Sequence, residues 1–340
     1  MNLLIGIAVV GFGYWGPNLV RNFSETKQAR VVAICDARAD RLAAARQRYP
    51  AADAVPEFAA VLSNPAVDVV AIATPVSTHF ALVMDALRAG KHVFVEKPFS
   101  TSITEAKQMV AEASRRNLVL MVDHTFVYTG AVRKIKEIID SGSVGDLYYY
   151  DSVRVNLGLF QSDVNVIWDL AVHDCSIIDY VLPKHPRHVT ASGVSHIAGQ
   201  PENMAYITLF FDDNLLAHLH VNWLAPVKVR QTLIGGSRRM IVYDDIEPTE
   251  KVKVYDSGVE LNASPESVYQ TRIGYRTGDM YAPKISHVEA LKVAVEHFTD
   301  CVERGERPLT DGYAGLRVLK MLDGAARSMA RGGQPVELEP

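Results

Sequence analysis

Asp169 and His173 stand four residues apart in the run Trp168-Asp169-Leu170-Ala171-Val172-His173-Asp174. Apolar Ile177, Ile178, Val181 and Leu182 follow until Pro183 stops the run. That spacing predicts a helix carrying Asp169 and His173 on one face. An imidazole, with an ordinary pKa of about 6.5, can take the proton of a hydroxyl while hydride leaves the same carbon. A carboxylate beside it can orient the ring or bind a second hydroxyl. The same pattern also suits a helix N-cap aspartate and an ordinary histidine. No third ligand is placed with the pair, so no metal is expected.

A second chemical signal lies at the start of the chain. Gly11-Phe12-Gly13-Tyr14-Trp15-Gly16 is a G-x-G-x-x-G turn between an apolar strand and a helical stretch opened by Pro17. The first glycine permits the tight turn, the second lets a pyrophosphate approach the backbone, and the third lets helix and strand pack closely. The helix N-terminus supplies free N–H groups and positive dipole. Asp36 ends the next apolar run, near the spacing of about 20 residues at which a carboxylate accepts the ribose hydroxyls of NAD. It would repel a 2′-phosphate, so NAD is expected over NADP, a preference that Arg38 and Arg41 could weaken.

Two further tripeptides fall at the carboxyl ends of apolar runs, the rim where ligands bind a parallel sheet. They are Ala73-Thr74-Pro75 and Glu96-Lys97-Pro98. Lys97 is expected beside the nicotinamide half, although a solvated strand-end lysine reads the same way. His79 either lines that pocket or simply begins the next helix. Thr74, Pro75, His79, Glu96 and Lys97 join residues 11–16, Asp36 and Arg38 as the expected cofactor-binding set.

The elements that must position these groups change rhythm near residue 125. Before it, continuous apolar runs at Leu4–Val10, Val31–Cys35, Val69–Ala73, His92–Val95 and Val119–Val122 alternate with helical stretches. This pattern predicts an open parallel sheet with helices on both faces. After it, residues 130–140 read as a helix. Six β-rich segments follow between Leu147 and Tyr243, with Asp212-Asp213-Asn214 as a hairpin turn. Helical stretches at 287–304 and 313–330 close the chain. Residues 257–282 are the least patterned and are expected to be a long, mobile loop. The fold class is therefore α/β: a Rossmann dinucleotide-binding domain over 1–125 and an α+β domain with an open, mainly antiparallel sheet over 126–340.

Length and composition agree. The chain has 340 residues, 48% hydrophobic and 22% charged, enough for two cored domains. A net charge of -4 lacks the basic excess of a nucleic-acid binder or a polybasic membrane anchor. No apolar run approaches the roughly 20 residues that span a bilayer, and the apolar start reads as a strand, not a signal peptide. Three scattered cysteines suit a reducing, cytoplasmic compartment better than a disulfide framework.

Taken in order, GFGYWG, Asp36, ATP at 73–75, EKP at 96–98 and DLAVHD at 169–174 resemble the Gfo/Idh/MocA oxidoreductases, from Leu4 to about Met329. The resemblance implies an N-terminal Rossmann domain and a C-terminal domain whose open sheet forms oligomer interfaces, here of a homodimer or homotetramer. It implies catalytic roles for Lys97, Asp169 and His173. His173 would accept the hydroxyl proton, Lys97 would stabilise charge on the same oxygen, and Asp169 would position the sugar or the histidine. GFGYWGPNLVRNF, ATPVSTHF and RVNLGLFQSDVNVIWDLAVHD look closest to the nucleotide-sugar 3-dehydrogenases of the family. They imply oxidation of a substrate such as UDP-N-acetylglucosamine, for surface polysaccharide or lipid A assembly. A nucleotide pyrophosphate needs cations or N–H groups. Arg154 and Asn156 are candidates, although a strand arginine and a turn asparagine explain them equally. Arg230, Arg238 and Lys284 could serve as well. The rival functions are a dehydrogenase of a free polyol or monosaccharide such as an inositol, an NAD-dependent glycosidase, and a dinucleotide sensor. The last has no need of a proton-transfer group.

Overall fold

Each strand–helix repeat of the N-terminal third becomes one layer of a parallel sheet. A computed structural model describes residues 4–158, 164–262 and 272–339. The sheet holds β1 (Ile5–Val10), β2 (Ala29–Cys35), β3 (Asp53–Val55), β4 (Val69–Ile72), β5 (His92–Glu96) and β6 (Leu120–Asp123). Its order is β3-β2-β1-β4-β5-β6, every neighbouring pair parallel. The order reverses at β1 and β4, the switch point at which such sheets bind ligands. β4 and β6 are buried along their whole length, the reason their sequences are continuously apolar. Helices α1 (Gly16–Glu25), α2 (Ala39–Arg48), α3 (Phe58–Ser63), α4 (His79–Arg88) and α5 (Ile103–Arg116) connect the strands. α5 starts from an N-cap: Ser102 Oγ accepts the Glu105 N–H, and Ser100 links the two ends by donating to the Glu105 carboxylate and accepting the Ser102 N–H. β3, only three residues long, carries no readable alternation.

The second part begins with α6 (Gly130–Asp140) and continues with β7 (Leu147–Leu157), α7 (Val172–Val181), β8 (His188–Val194), β9 (Met204–Phe210) and β10 (Leu216–Asn222). Then come β11 (Leu224–Gly236), β12 (Met240–Asp244), β13 (Val252–Tyr255), β14 (Gly258–Asn262), β15 (Arg272–Arg276), β16 (Met280–Tyr281) and, near the C-terminus, β17 (Val336–Glu337). Nine strands form one sheet in the order β16-β13-β12-β11-β7-β10-β9-β8-β17, antiparallel except where β10 runs parallel to β7. β10 shows the period-2 pattern: Ala217, Leu219 and Val221 are fully buried, while His218 and His220 lie half-exposed on the other face. The three-residue Asp212–Asn214 turn joins β9 to β10, with Asp213 and Asn214 at φ 60° and 63°, a left-handed conformation that Asp and Asn tolerate. The expected long loop over 257–282 instead contains β14 and β15, paired with each other, and β16. Residues 263–271 of that stretch lie outside the described residues.

Two helices, α8 (Ala290–Arg304) and α9 (Gly312–Ala330), precede β17. Contacts group the residues up to Thr129 with Val288–Leu319 as one compact unit, and Gly130–His287 with the residues from Lys320 onward as another. The first unit is thus not one continuous segment. The reason is aromatic: Phe298 of α8 packs edge-on against Phe23 of α1 and Phe94 of β5, at centroid distances of 6.4 and 5.4 Å. All three rings are fully buried, and each such pair adds about 0.5–1.5 kcal/mol beyond its area. Cys35, Cys175 and Cys301 are buried free thiols. Among the described residues, no helix is long and apolar enough to cross a membrane.

Candidate active site

In the first unit the glycine turn after β1 forms a cradle. Gly11 sits at φ 94°, and a Cβ there would stand 2.5 Å from the Ala73 carbonyl oxygen. A Cβ on Gly16 would strike the Gly11 carbonyl, which makes close helix–strand packing possible only for glycine. A Cβ on Gly13 would meet nothing within 4 Å. Space is therefore open at the one glycine expected to face a pyrophosphate. α1 follows with no side chain capping its N-terminus, so its first N–H groups remain available to an anion. Asp36 Oδ2 accepts the Phe12 N–H at 2.7 Å and Oδ1 accepts the Arg38 N–H at 2.9 Å. The carboxylate is thus fixed beside the turn, and each oxygen keeps a lone pair for a ribose hydroxyl. These features fit NAD, with the turn backbone and α1 toward the pyrophosphate and Asp36 toward the ribose. The Phe12 ring is buried edge-on against Tyr49, whereas Tyr14 is exposed.

Three expected cofactor residues are otherwise engaged. Arg38 turns its guanidinium to Asp40, as a two-pronged surface pair with both side chains exposed. His79 is buried as the first residue of α4, with Nε2 3.0 Å from the Thr74 carbonyl and Nδ1 3.0 Å from the Pro98 carbonyl. It ties the ATP turn to the EKP turn rather than facing a pocket. Burial lowers its pKa and opposes the charge that would let both nitrogens donate at once. Glu96 is the register partner of Asp123 on β6, and its Oε1 is buried. Lys97, half-buried, follows immediately at the β5 strand end. Thr74 and Thr78 share a hydroxyl hydrogen bond of 2.7 Å, which orders the turn whose apex is exposed Pro75.

In the second unit, Asp169 lies in a π-helical turn over Ile167–Ala171, and His173 in the first turn of α7. Such turns recur at functional sites. Asn165, not Asp169, serves as the cap: its Oδ1 accepts the N–H groups of Ile167 and Trp168. Asp169 is thereby left for another partner, and its Oδ2 accepts the indole N–H of fully buried Trp223 at 3.0 Å. His173 and Asp169 are both half-buried. Among the described residues, no three His, Cys, Asp or Glu side chains gather as a metal site.

Arg154 does not offer its guanidinium to a pyrophosphate. It is 3% exposed, and its Nε and Nη2 donate to Asp174 at 2.7 and 3.2 Å. Ser152 donates to the same carboxylate at 2.7 Å. The pair fastens β7 to α7 directly behind His173. Asn156 lies two residues further along the same face of β7, half-buried. Arg230 is likewise committed, to Asp245 at 3.1 Å. Residues 159–163, between Asn156 and the helix, lie outside the described residues.

Trp223, Asp174 and Asn165 were not expected around Asp169 and His173. Asp174 carried a readable signal, since Asp174, Ile178 and Val181 share the core-facing stripe of α7, and an acid there needs a buried partner. Trp223 carried none, because its role depends on a partner 54 residues away in sequence.

The oxidoreductase family GFO_IDH_MocA, described as an NAD-binding Rossmann fold, matches residues 5–124, and the GFO/IDH/MocA C-terminal domain matches residues 132–242. The chain belongs to the Gfo/Idh/MocA oxidoreductases. Three relatives are similar over nearly its full length. A D-apiose dehydrogenase of Paraburkholderia graminis is 25% identical over 98% of this chain and 89% of its own. A myo-inositol 2-dehydrogenase of Thermotoga maritima is 25% identical over 98% of each. A UDP-N-acetylglucosamine 3-dehydrogenase of Acidithiobacillus ferrooxidans is 27% identical over 92% of this chain and 93% of its own. A solved structure of the last activity from that organism has a TM-score of 0.80 at 24% identity, covering 97% of this chain and 99% of that one. The Gfo/Idh/MocA fold thus extends along the chain, and NAD is its cofactor.

Proposed function

We propose that this Gfo/Idh/MocA protein is an NAD-dependent dehydrogenase that oxidises the C3 hydroxyl of a nucleotide sugar, UDP-N-acetylglucosamine, to the 3-keto sugar. The observation that carries the reaction class is His173 at the head of α7, on a helix anchored by a buried ion pair, with Asp169 in the preceding π turn. NAD, when bound, supplies the hydride acceptor. His173 takes the proton of the hydroxyl. Lys97 hydrogen-bonds the same oxygen and stabilises its developing negative charge. Asp169, held by Trp223, receives a further hydroxyl of the sugar or orients His173. Residues 1–125 serve NAD, and residues 126–340 serve the substrate and self-association into a dimer or tetramer. The free buried thiols fit a cytoplasmic setting.

The nucleotide-sugar reading is supported by the Acidithiobacillus relative and by the stretch from Arg154 to Asp174. One observation favours a free sugar or polyol instead: Arg154, the cation offered for the pyrophosphate, is spent on Asp174. The apiose and inositol relatives point the same way. Incubation with NAD and UDP-N-acetylglucosamine, myo-inositol or apiose in parallel separates the two. The absorbance of reduced nicotinamide and the mass of the keto product are the readouts. Turnover of a free polyol with none of the nucleotide sugar overturns the finer reading. Release of UDP without net reduction marks a glycosidase.

A further inference from the structure

Behind Lys97 lies a pair of acids that the reaction above does not use. Glu96 and Asp123 end adjacent parallel strands and are register partners, so their side chains leave the sheet on the same side. Asp123 is 1% exposed. Its Oδ1 accepts the Thr125 hydroxyl at 2.8 Å. Its Oδ2 and the Glu96 Oε1 are both buried and have no other partner. Two ionised carboxylates cannot occupy such a place, because repulsion and desolvation act together. One proton between them satisfies both orphan oxygens with a single hydrogen bond.

The surroundings say which acid keeps the proton. Asp123 is faced by donors, Thr125 and the indole of Trp15, whose buried Nε1 has no other partner. Glu96 is pushed well up by burial and by the charge of Asp123. The other ionisable neighbours are Lys97, His124 and Tyr128. Lys97 favours a negative charge at both acids. Burial holds the His124 imidazole neutral, down at about 3, with Lys97 adding to the shift. Burial and Asp123 push the Tyr128 phenol up, so it stays protonated too. The group therefore carries one negative charge, centred on Asp123, opposite one ammonium.

We propose that Glu96 and Asp123 share a single proton and act as one monoanionic clamp, joining the glycine turn, through Trp15, to the strand end that carries Lys97. Both are positioning residues. The clamp sets one negative charge beside Lys97 and holds Trp15 so that the turn is set before NAD arrives. Only the consequence at Lys97 rests on the dehydrogenase reading. The shared proton and the link to the turn stand without it.

The experiment is infrared spectroscopy of the sugar-free protein at pH 8, far above the ordinary carboxyl range, with NAD titrations followed by tryptophan fluorescence. The wild-type chain shows the C=O stretch of a protonated carboxyl, and Glu96→Gln loses it. Gln can still donate to Asp123, so NAD affinity falls less in Glu96→Gln than in Asp123→Asn, where loss of the anion facing Trp15 weakens it about tenfold. Absence of a protonated carboxyl at pH 8 overturns the proposal, as does equal weakening by the two variants. Should Asp123→Asn fail to fold, the spectra of wild type and Glu96→Gln decide alone. Failure to turn over any sugar bears on the function above and leaves these readouts intact.

Discussion

Arg154 and Asp174 form an ion pair almost wholly removed from solvent, with Nε 2.7 Å from Oδ2. Burying two charges costs several kcal/mol per ion, recovered here by three hydrogen bonds onto one carboxylate. The pair therefore specifies how α7 sits on β7 more than it stabilises the fold. Removing one member leaves the other charged and buried. Asp174→Asn is expected to destabilise by about 3–5 kcal/mol in urea unfolding, with Arg154→Leu/Asp174→Leu recovering much of the loss. A stable Arg154→Leu protein with only a raised KM would return Arg154 to the substrate.

The three glycines of the turn separate folding from binding. Gly11→Ala meets the Ala73 carbonyl and an unfavourable φ, and Gly16→Ala meets the Gly11 carbonyl. Each is expected to cost about 1–3 kcal/mol of stability. Gly13→Ala meets no protein atom, so its melting temperature stays near wild type while NAD affinity drops. Calorimetric titration with NAD alongside thermal melts checks all three. Full NAD affinity in Gly13→Ala removes the pyrophosphate from this turn.

Acid should loosen the first unit through His124. Burial holds its imidazole neutral down to about 3, while the unfolded chain takes up a proton near the ordinary histidine value. The unfolded state therefore binds the extra proton, and stability falls with pH from about 6.5 toward 3. Between pH 7 and 5 this one group accounts for about 2 kcal/mol of lost stability. Urea midpoints of wild type and His124→Asn should converge on acidification by that amount. Parallel pH curves would show that His124 is accessible to protons in the folded state.

Trp223 and Asp169 are 54 residues apart in sequence, yet one hydrogen bond joins them. Trp223→Phe keeps most of the buried ring and removes the donor, leaving the carboxylate less satisfied at a cost of about 1–3 kcal/mol. If Asp169 positions the sugar, KM rises more than kcat falls. An unchanged KM would make the bond purely structural.

Much of this was legible because it is local. The glycine turn and the alternation of β10 each follow from residues a few places apart, and they fold as their spacing dictates. Asn165 was passed over as cap in favour of Asp169 because a π turn shifts the helix start, and apolar spacing does not register that shift. The fates of Arg154, Glu96 and His79 were illegible for another reason. A strand arginine, a strand-end glutamate and a helix-start histidine look alike whether they meet a ligand or a partner across the fold. Only the packing of β7 on α7, of β5 beside β6, and of the ATP turn against the EKP turn decides. The same holds for α8, whose place depends on Phe298 meeting Phe23 and Phe94.

The dehydrogenase reading makes its sharpest demand on His173. The side chain is half-buried, and its helix is fixed by Asp174 behind it and capped by Asn165 ahead of it. His173→Asn should therefore keep the melting temperature and NAD affinity while lowering turnover by at least about 10²-fold, the scale of a lost general base. The acid limb of the kcat/KM profile should vanish with it, since that limb reports protonation of the free base. Lys97→Met should lower turnover as well but leave the acid limb in place, because the base itself is untouched. If His173→Asn turns over at the wild-type rate, proton transfer belongs to another group, and the roles given to Asp169 and Lys97 around it fall too.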